Sequence, residues 1–183
     1  RRLNTNSDSE VLLNILAHEL AKLRKLNPSP EDIFKAVTET HKRCDGAYAV
    51  IALITGFGIL AFRDTNAIRP LSFGIRQGNY RDEYMVASED ASFISQGFIK
   101  ERDIEPGEAI FIDNDGNLFS QQCAEVFQKR PCIFEYVYFS RPDSKIDEIS
   151  VYKSRMRMGS KLAENIKQSH SNHDIDVVIP IPD

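Results

Sequence analysis

Between residues 46 and 90 the chain reads GAYAVIALITGFGILAFRDTNAIRPLSFGIRQGNYRDEYMVASED, four short apolar runs divided by turn residues. Runs of this length, rich in β-branched and aromatic residues and bounded by Gly, Asn and Asp, form strands rather than helices. Gly56-Phe57-Gly58 supplies permissive backbone for a tight reversal, which predicts a hairpin between residues 47–55 and 59–63. Residues 71–75 and 83–88 follow, set off by Thr65-Asn66 and by Gln77-Gly78-Asn79. Ala49, Ile51 and Leu53 alternate with Val50, Ala52 and Ile54, and both sets are apolar. That pattern predicts a first strand buried on both faces, in the middle of a layered domain.

The flanking segments supply helices and more strands. Ser7-Asp8-Ser9-Glu10 reads as a capping box, with Ser7 and Glu10 satisfying each other's amides. Val11, Leu12, Ile15, Leu16, Leu20 and Leu23 then recur at helical spacing through about Leu26. Asn27-Pro28-Ser29-Pro30 ends that helix and opens a second, whose apolar stripe is Ile33, Phe34, Val37 and Thr40. Beyond the central runs, residues 91–97 predict a short helix, residues 104–122 a hairpin around Asn114-Asp115-Gly116-Asn117, and residues 133–139 another strand. Residues 155–168 carry Met158, Leu162, Ala163 and Ile166 on one helical face. Strands following two helices suggest a layered α+β architecture. Near the end, DVVIPIP (residues 176–182) reads as a buried strand that would open a further domain, since a parallel strand needs a crossover to cover it.

Composition excludes several classes of function. A net charge of −4 with interspersed signs gives no reason to expect nucleic acid or an anionic membrane surface as partner. No run reaches the roughly 18 apolar residues of a membrane span. Cys44, Cys123 and Cys132 lie far apart, contain no CxxC pair and are odd in number, so a reducing compartment fits better than a disulfide framework. His18 and His41 have no partner at metal-ligand spacing and read as structural or solvated, and His170 and His173 fall in a polar connection. The chain opens on Arg1-Arg2-Leu3-Asn4, with neither an initiator methionine nor an apolar signal core. With the strand at its other end it reads as an excerpt of something longer.

The order GAYA, AFRDTNAIRPL, EYMVASED, EPGEAIFI and FEYVYFSRPDS, running from about residue 3 to the last residue, closely resembles the glutamine phosphoribosylpyrophosphate amidotransferases, or amidophosphoribosyltransferases. The resemblance implies a four-layer αββα sandwich of the amino-terminal-nucleophile (Ntn) glutaminase type, followed by the start of an α/β phosphoribosyltransferase domain. Residues 1–140 would be the carboxy-terminal part of the glutamine amidotransferase domain. Residues 141–183 would be a linker helix and the first strand of the next. The implied parent enzyme is cytoplasmic and homo-oligomeric. It uses ammonia from glutamine to displace pyrophosphate from phosphoribosyl pyrophosphate, giving phosphoribosylamine, the opening of de novo purine synthesis.

The same resemblance assigns residues. Asp8 lies in the family's SDSE motif, where the aspartate receives the α-ammonium of bound glutamine; a carboxylate suits this because it accepts hydrogen bonds and neutralises a cation. Without the resemblance, Asp8 is an acidic first-turn residue complementing the helix dipole, worth about 0.3 to 1 kcal/mol. The family's nucleophile is an amino-terminal cysteine whose own amine is the base, expected upstream of Arg1. Cys44, Cys123 and Cys132 are internal and cannot play that part. No acidic, Gly-Thr-Thr-type phosphate loop and no GxxxxGK[ST] occurs, so Mg2+ is expected in the remaining phosphoribosyltransferase domain and the excerpt alone should be inactive. Cys132 resembles one ligand of an iron–sulfur cluster found in some members, or is a plain thiol. Arg141, Arg155 and Arg157 are surface ion-pairing residues or part of an interface coupling the two active sites. Two alternatives stand beside this reading: another Ntn-type glutamine amidotransferase, or a non-catalytic homologue.

Overall fold

A computed structural model describes residues 4–170, 172 and 174–179. Two helices, α1 (Asp8–Lys22) and α2 (Pro30–Arg43), precede the strands β1 (Ala49–Ile54), β2 (Gly58–Arg63), β3 (Ser72–Gln77) and β4 (Asp82–Ala87). The short α3 (Ala91–Ser95) leads to β5 (Ile99–Asp103), β6 (Glu108–Asp113) and β7 (Leu118–Gln122). A π-helical turn (Glu135–Phe139), the two-residue strands β8 (Lys145–Ile146) and β9 (Ile149–Ser150), and α4 (Val151–Ser169) follow. The strands form two larger antiparallel sheets, β1-β2-β6-β7 and β4-β3-β5, and the pair β8-β9. Among the described residues no helix is long and apolar enough to cross a membrane.

β2 is the strand on which both cores meet. Its register sets Leu60 opposite Ala52 and Phe111, and Phe62 opposite Val50 and Ala109. Leu60 and Phe62 join Leu16, Ile33, Phe34 and Val37 of the two helices in one buried cluster. Ala61, pointing the other way, joins Ile110, Leu71, Phe73 and Ile104 in a second cluster shared with the other sheet. Gly58 makes this approach possible: its φ is +148°, and a Cβ there would stand 2.0 Å from the carbonyl oxygen of Ile112. Gly74 likewise leaves room for the ring of Phe93.

The double-sided burial expected of residues 47–55 therefore belongs to β2. β1 is an edge strand; Val50, Ala52 and Ile54 pack on the helices, while Ile51 is 51% and Leu53 76% exposed. An all-apolar run shows that either face could be buried, but the number of neighbouring strands decides whether both are. Three further expectations change. Ser7 makes no side-chain cap, because the Glu10 carboxylate reaches past it to accept from the amides of Asn4 (2.8 Å) and Thr5 (2.7 Å). The reciprocal box forms instead at α2, between Ser29 and Asp32. Residues 133–139 are not a strand: no sheet edge is offered to them, and the turn closes on itself with Ser140 N donating to Glu135 O, five residues back. Residues 176–179 are exposed and unpaired, and residues 180–182 of that expected strand lie outside the described residues.

His41 of α2 is enclosed by the first core. Its Nδ1 lies 2.8 Å from the hydroxyl of Tyr48, and its ring meets Phe62 edge-on. Burial pushes its pKa down to about 4, against a smaller upward pull from the Gly107 backbone. The folded imidazole thus stays neutral at pH values where the unfolded one, with an ordinary value of 6.5, is already protonated. Stability from this residue is complete above pH 6.5 and is lost as pH falls toward 4, amounting to about 2 kcal/mol between pH 7 and pH 5. Urea unfolding at the two pH values should show that loss in the native chain and its absence in His41→Phe. Equal losses would mean the imidazole is not held neutral.

Candidate functional site

The chain leaving β2 builds a connection that is polar in sequence yet largely buried in space. Asp64 is fully buried; its Oδ1 accepts from the amide of Asn66 (2.9 Å) and its Oδ2 from that of Ile68 (3.0 Å). Its carbonyl accepts from Gly107, and Ala67 completes the turn at a left-handed φ of 50°. The outer edge of the loop is then read by a second segment. Gln128 N donates to Thr65 O, Arg130 N to Asn66 O and Cys132 N to Ile68 O.

Arg63 sits beneath this loop, 1% exposed. Its Nε donates to Arg69 O (2.6 Å), Nη1 to Ile104 O (2.9 Å) and Nη2 to Ala67 O (3.0 Å). The remaining two N–H groups donate to the two carboxylate oxygens of Asp147, both at 3.2 Å. All five donors of the guanidinium are thereby used. Asp147 lies in the β8–β9 turn with φ of 47°, and Lys129 Nζ stands 2.8 Å from its Oδ1. Burial raises the Asp147 pKa, but the hydrogen bonds from Arg63 and Lys129 outweigh it and the net shift is downward.

Beside this cluster the π-helical turn is held from both ends. Arg69 Nη1 lies 2.5 Å from Glu135 Oε1, an ion pair outside hydrogen-bond geometry, and its guanidinium stands over the Phe139 ring at 5.5 Å. Arg155 donates to the carbonyls of Tyr136 (2.9 Å), Tyr138 (3.2 Å) and Ser140 (2.7 Å). The side chain expected on a surface or interface is thus the cap of a helical turn. Arg141 pairs with Asp143 at the surface.

Asp8 is exposed at the first position of α1, its Oδ1 accepting from Ser9 Oγ at 3.4 Å. A carboxylate placed there is open to a cationic ligand and stands at the positive end of the helix. The cysteines do not come together. Burial pushes the Cys123 thiol up to about 11 and the Cys44 thiol up as well, so both are held protonated and poor as nucleophiles. Cys132 is half-buried and pairs through its backbone with Ile68. Among the described residues no group of three or more His, Cys, Asp or Glu could hold a metal ion. His18 and His170 are exposed, while His173 lies outside the described residues. A recess of about 140 Å³ is lined by Thr38, His41, Lys42, Thr65, Cys123 and the three residues after it.

Sequence reasoning reached Arg63, Asp64 and Arg69 only as part of the AFRDTNAIRPL motif of the resemblance. It missed Asp147 altogether, since partners 84 residues apart leave no local pattern.

One antiparallel sheet packed on α1 and α2, with the second sheet against its other face, defines a mixed α+β class of chain that solved structures share. The glutamine phosphoribosylpyrophosphate (PRPP) amidotransferase from B. subtilis, complexed with ADP and GMP, matches with a TM-score of 0.72 and 32% identity, covering 90% of this chain and 33% of that one. A second structure, described as the allosteric regulatory enzyme of purine biosynthesis, matches with a TM-score of 0.73 and 32% identity, over 90% of this chain and 32% of its own. The chain is homologous along its whole length to amidophosphoribosyltransferases. It is 58% identical over 183 residues to that of Pseudomonas aeruginosa, 52% to that of Escherichia coli K12 and 49% to that of Saccharomyces cerevisiae. All of this chain is covered in each case, and it spans 36 to 37% of the length of these relatives. No family model matches the chain.

Arg63→Lys keeps the charge but supplies three donors in place of five and cannot fork onto Asp147. It should lower the unfolding free energy by roughly 3 kcal/mol in denaturant titration. A change below about 0.5 kcal/mol, the range of ordinary surface substitutions, would show that the buried cage carries little stability.

Proposed function

We propose that the chain is part of a glutamine-dependent amidophosphoribosyltransferase. In this reading residues 1–140 belong to the glutaminase domain, and residues 141–183 lead into the phosphoribosyltransferase domain. The observation that carries the reading is 58% identity to an amidophosphoribosyltransferase across all 183 residues. The four-layer αββα arrangement is supported by the two buried clusters, one between helices and sheet and one between the sheets.

Glutamine would be hydrolysed in the glutaminase domain by a cysteine outside this chain. The ammonia released then attacks the anomeric carbon of phosphoribosyl pyrophosphate, so that a C–N bond forms, the C–O bond breaks and pyrophosphate leaves. Asp8 would anchor the glutamine by pairing its carboxylate with the α-ammonium, and the exposed position of that side chain at the start of α1 supports the role. Magnesium would serve the pyrophosphate in the second domain. The described residues offer it no fit, nor do they offer a second thiol beside Cys132 for an iron–sulfur cluster, so neither group enters a step derived from this chain. Homo-oligomerisation and a cytoplasmic location are proposed from the family resemblance. The net charge of −4 supports small-molecule substrates over nucleic acid.

In the full-length enzyme, Asp8→Asn should weaken glutamine use by roughly 2 to 4 kcal/mol, because the ammonium loses its charged partner. Ammonia has no α-ammonium to anchor, so synthesis from ammonium salts should stay near normal. Equal losses with both nitrogen donors would make Asp8 a helix-terminus residue and remove it from the glutamine site.

A further inference from the structure

Residues 128–155 form a unit whose own apolar cluster is small. Tyr136, Ile146 and Val151, with Met158 against them, are separate from both clusters that hold the sheets together. The unit is joined to the sheets mainly by polar contacts. The three backbone bonds to the loop after β2 are one set. Glu89, accepting from Arg141 N and Ser144 Oγ, and Asp90, accepting from Lys145 N, are another. Lys100 Nζ donating to Lys145 O and the ion pairs Arg69–Glu135 and Arg63–Asp147 add to it. Arg63–Asp147 alone among these ion pairs is buried on both sides, with side chains 1% and 4% exposed. A body docked by polar contacts has discrete alternative positions, because sliding it leaves buried charges unpaired instead of merely thinning a shared apolar core.

The docked unit presents an apolar face. Val137, Tyr138 and Phe139 of the π-helical turn are exposed, as are Tyr152 and Met156 of α4. Arg155 fixes the turn to α4, so the face moves with the unit as one piece.

We propose that Asp147 is a positioning residue for coupling: its pairing with Arg63 seats residues 128–155 on the glutaminase sheets and thereby keeps glutamine hydrolysis in step with the use of the ammonia. This rests on the amidophosphoribosyltransferase reading above. Lys129, half-exposed at 41%, belongs to the same unit and holds the Asp147 carboxylate from the open side, so it orients the carboxylate without itself bridging to the sheets.

The test uses the full-length enzyme with Asp147→Asn and Lys129→Met. Three quantities are compared per mole of folded protein: glutamate released, phosphoribosylamine formed from glutamine, and phosphoribosylamine formed from ammonium salts. Asp147→Asn should raise the ratio of glutamate released to product formed roughly fivefold or more, and leave synthesis from ammonia close to the native rate. Lys129→Met should raise the same ratio by less. A purely structural role would lower hydrolysis and synthesis together and leave the ratio unchanged, which would overturn the proposal. Should Asp147→Asn fail to fold, Arg63→Lys breaks the same forked pair from the other side, and an unchanged ratio there would overturn it equally. Failure of the underlying reading is seen separately, as absence of product from either nitrogen donor in the native enzyme.

Discussion

The guanidinium of Arg63 is the constraint around which this part of the molecule is arranged. Placing a cation out of water costs several kcal/mol unless its donors are met, and here three backbone carbonyls and one carboxylate meet all five. The acceptors come from three pieces of chain: Ala67 and Arg69 in the connection between β2 and β3, Ile104 just after β5, and Asp147 in the β8–β9 turn. One side chain at the end of the central strand therefore fixes three segments whose own sequences hold no strong secondary-structure preference. The left-handed turns at Ala67 and Asp147 are the backbone consequence, since each carries an oxygen into the cage.

That arrangement explains how a chain with two ordinary hydrophobic cores acquires a third, loosely joined part. The clusters on either side of β2 are closed by Leu60, Phe62 and Ala61, and neither includes a residue from 128 onward. Residues 128–155 are seated mainly by polar contacts and a small cluster of their own. Shifting the unit leaves the buried Arg63 and Asp147 charges unpaired, so the docking is made or broken as a whole and this junction is suited to relay a state from one side to the other.

Much of the fold was legible because it follows local rules. Ser29 and Pro30 start α2 as their chemistry dictates, the stripe Ile33, Phe34 and Val37 is buried, and the four strands of residues 46–90 form close to where the turn residues place them. What could not be read depends on partners distant in sequence. Edge and centre exchanged places between β1 and β2 because an apolar run does not count its neighbours. The FEYVYF segment has strand-forming residues but found no edge to pair with, and became a π-helical turn capped by Arg155. Asp8 stood out only through the resemblance, while Asp147 is one carboxylate among many until the fold sets it against Arg63. The recognisable order of motifs carried the family, and the homology over the full chain agrees with it.

The proposed joining of glutamine hydrolysis to displacement of pyrophosphate is a property of the whole enzyme. It is tested most directly by supplying the purified full-length protein with glutamine and phosphoribosyl pyrophosphate and quantifying glutamate and pyrophosphate together. Both should appear in equal amounts, and omitting phosphoribosyl pyrophosphate should abolish pyrophosphate release. Glutamate released with no pyrophosphate, or amination of a sugar phosphate in its place, would contradict it.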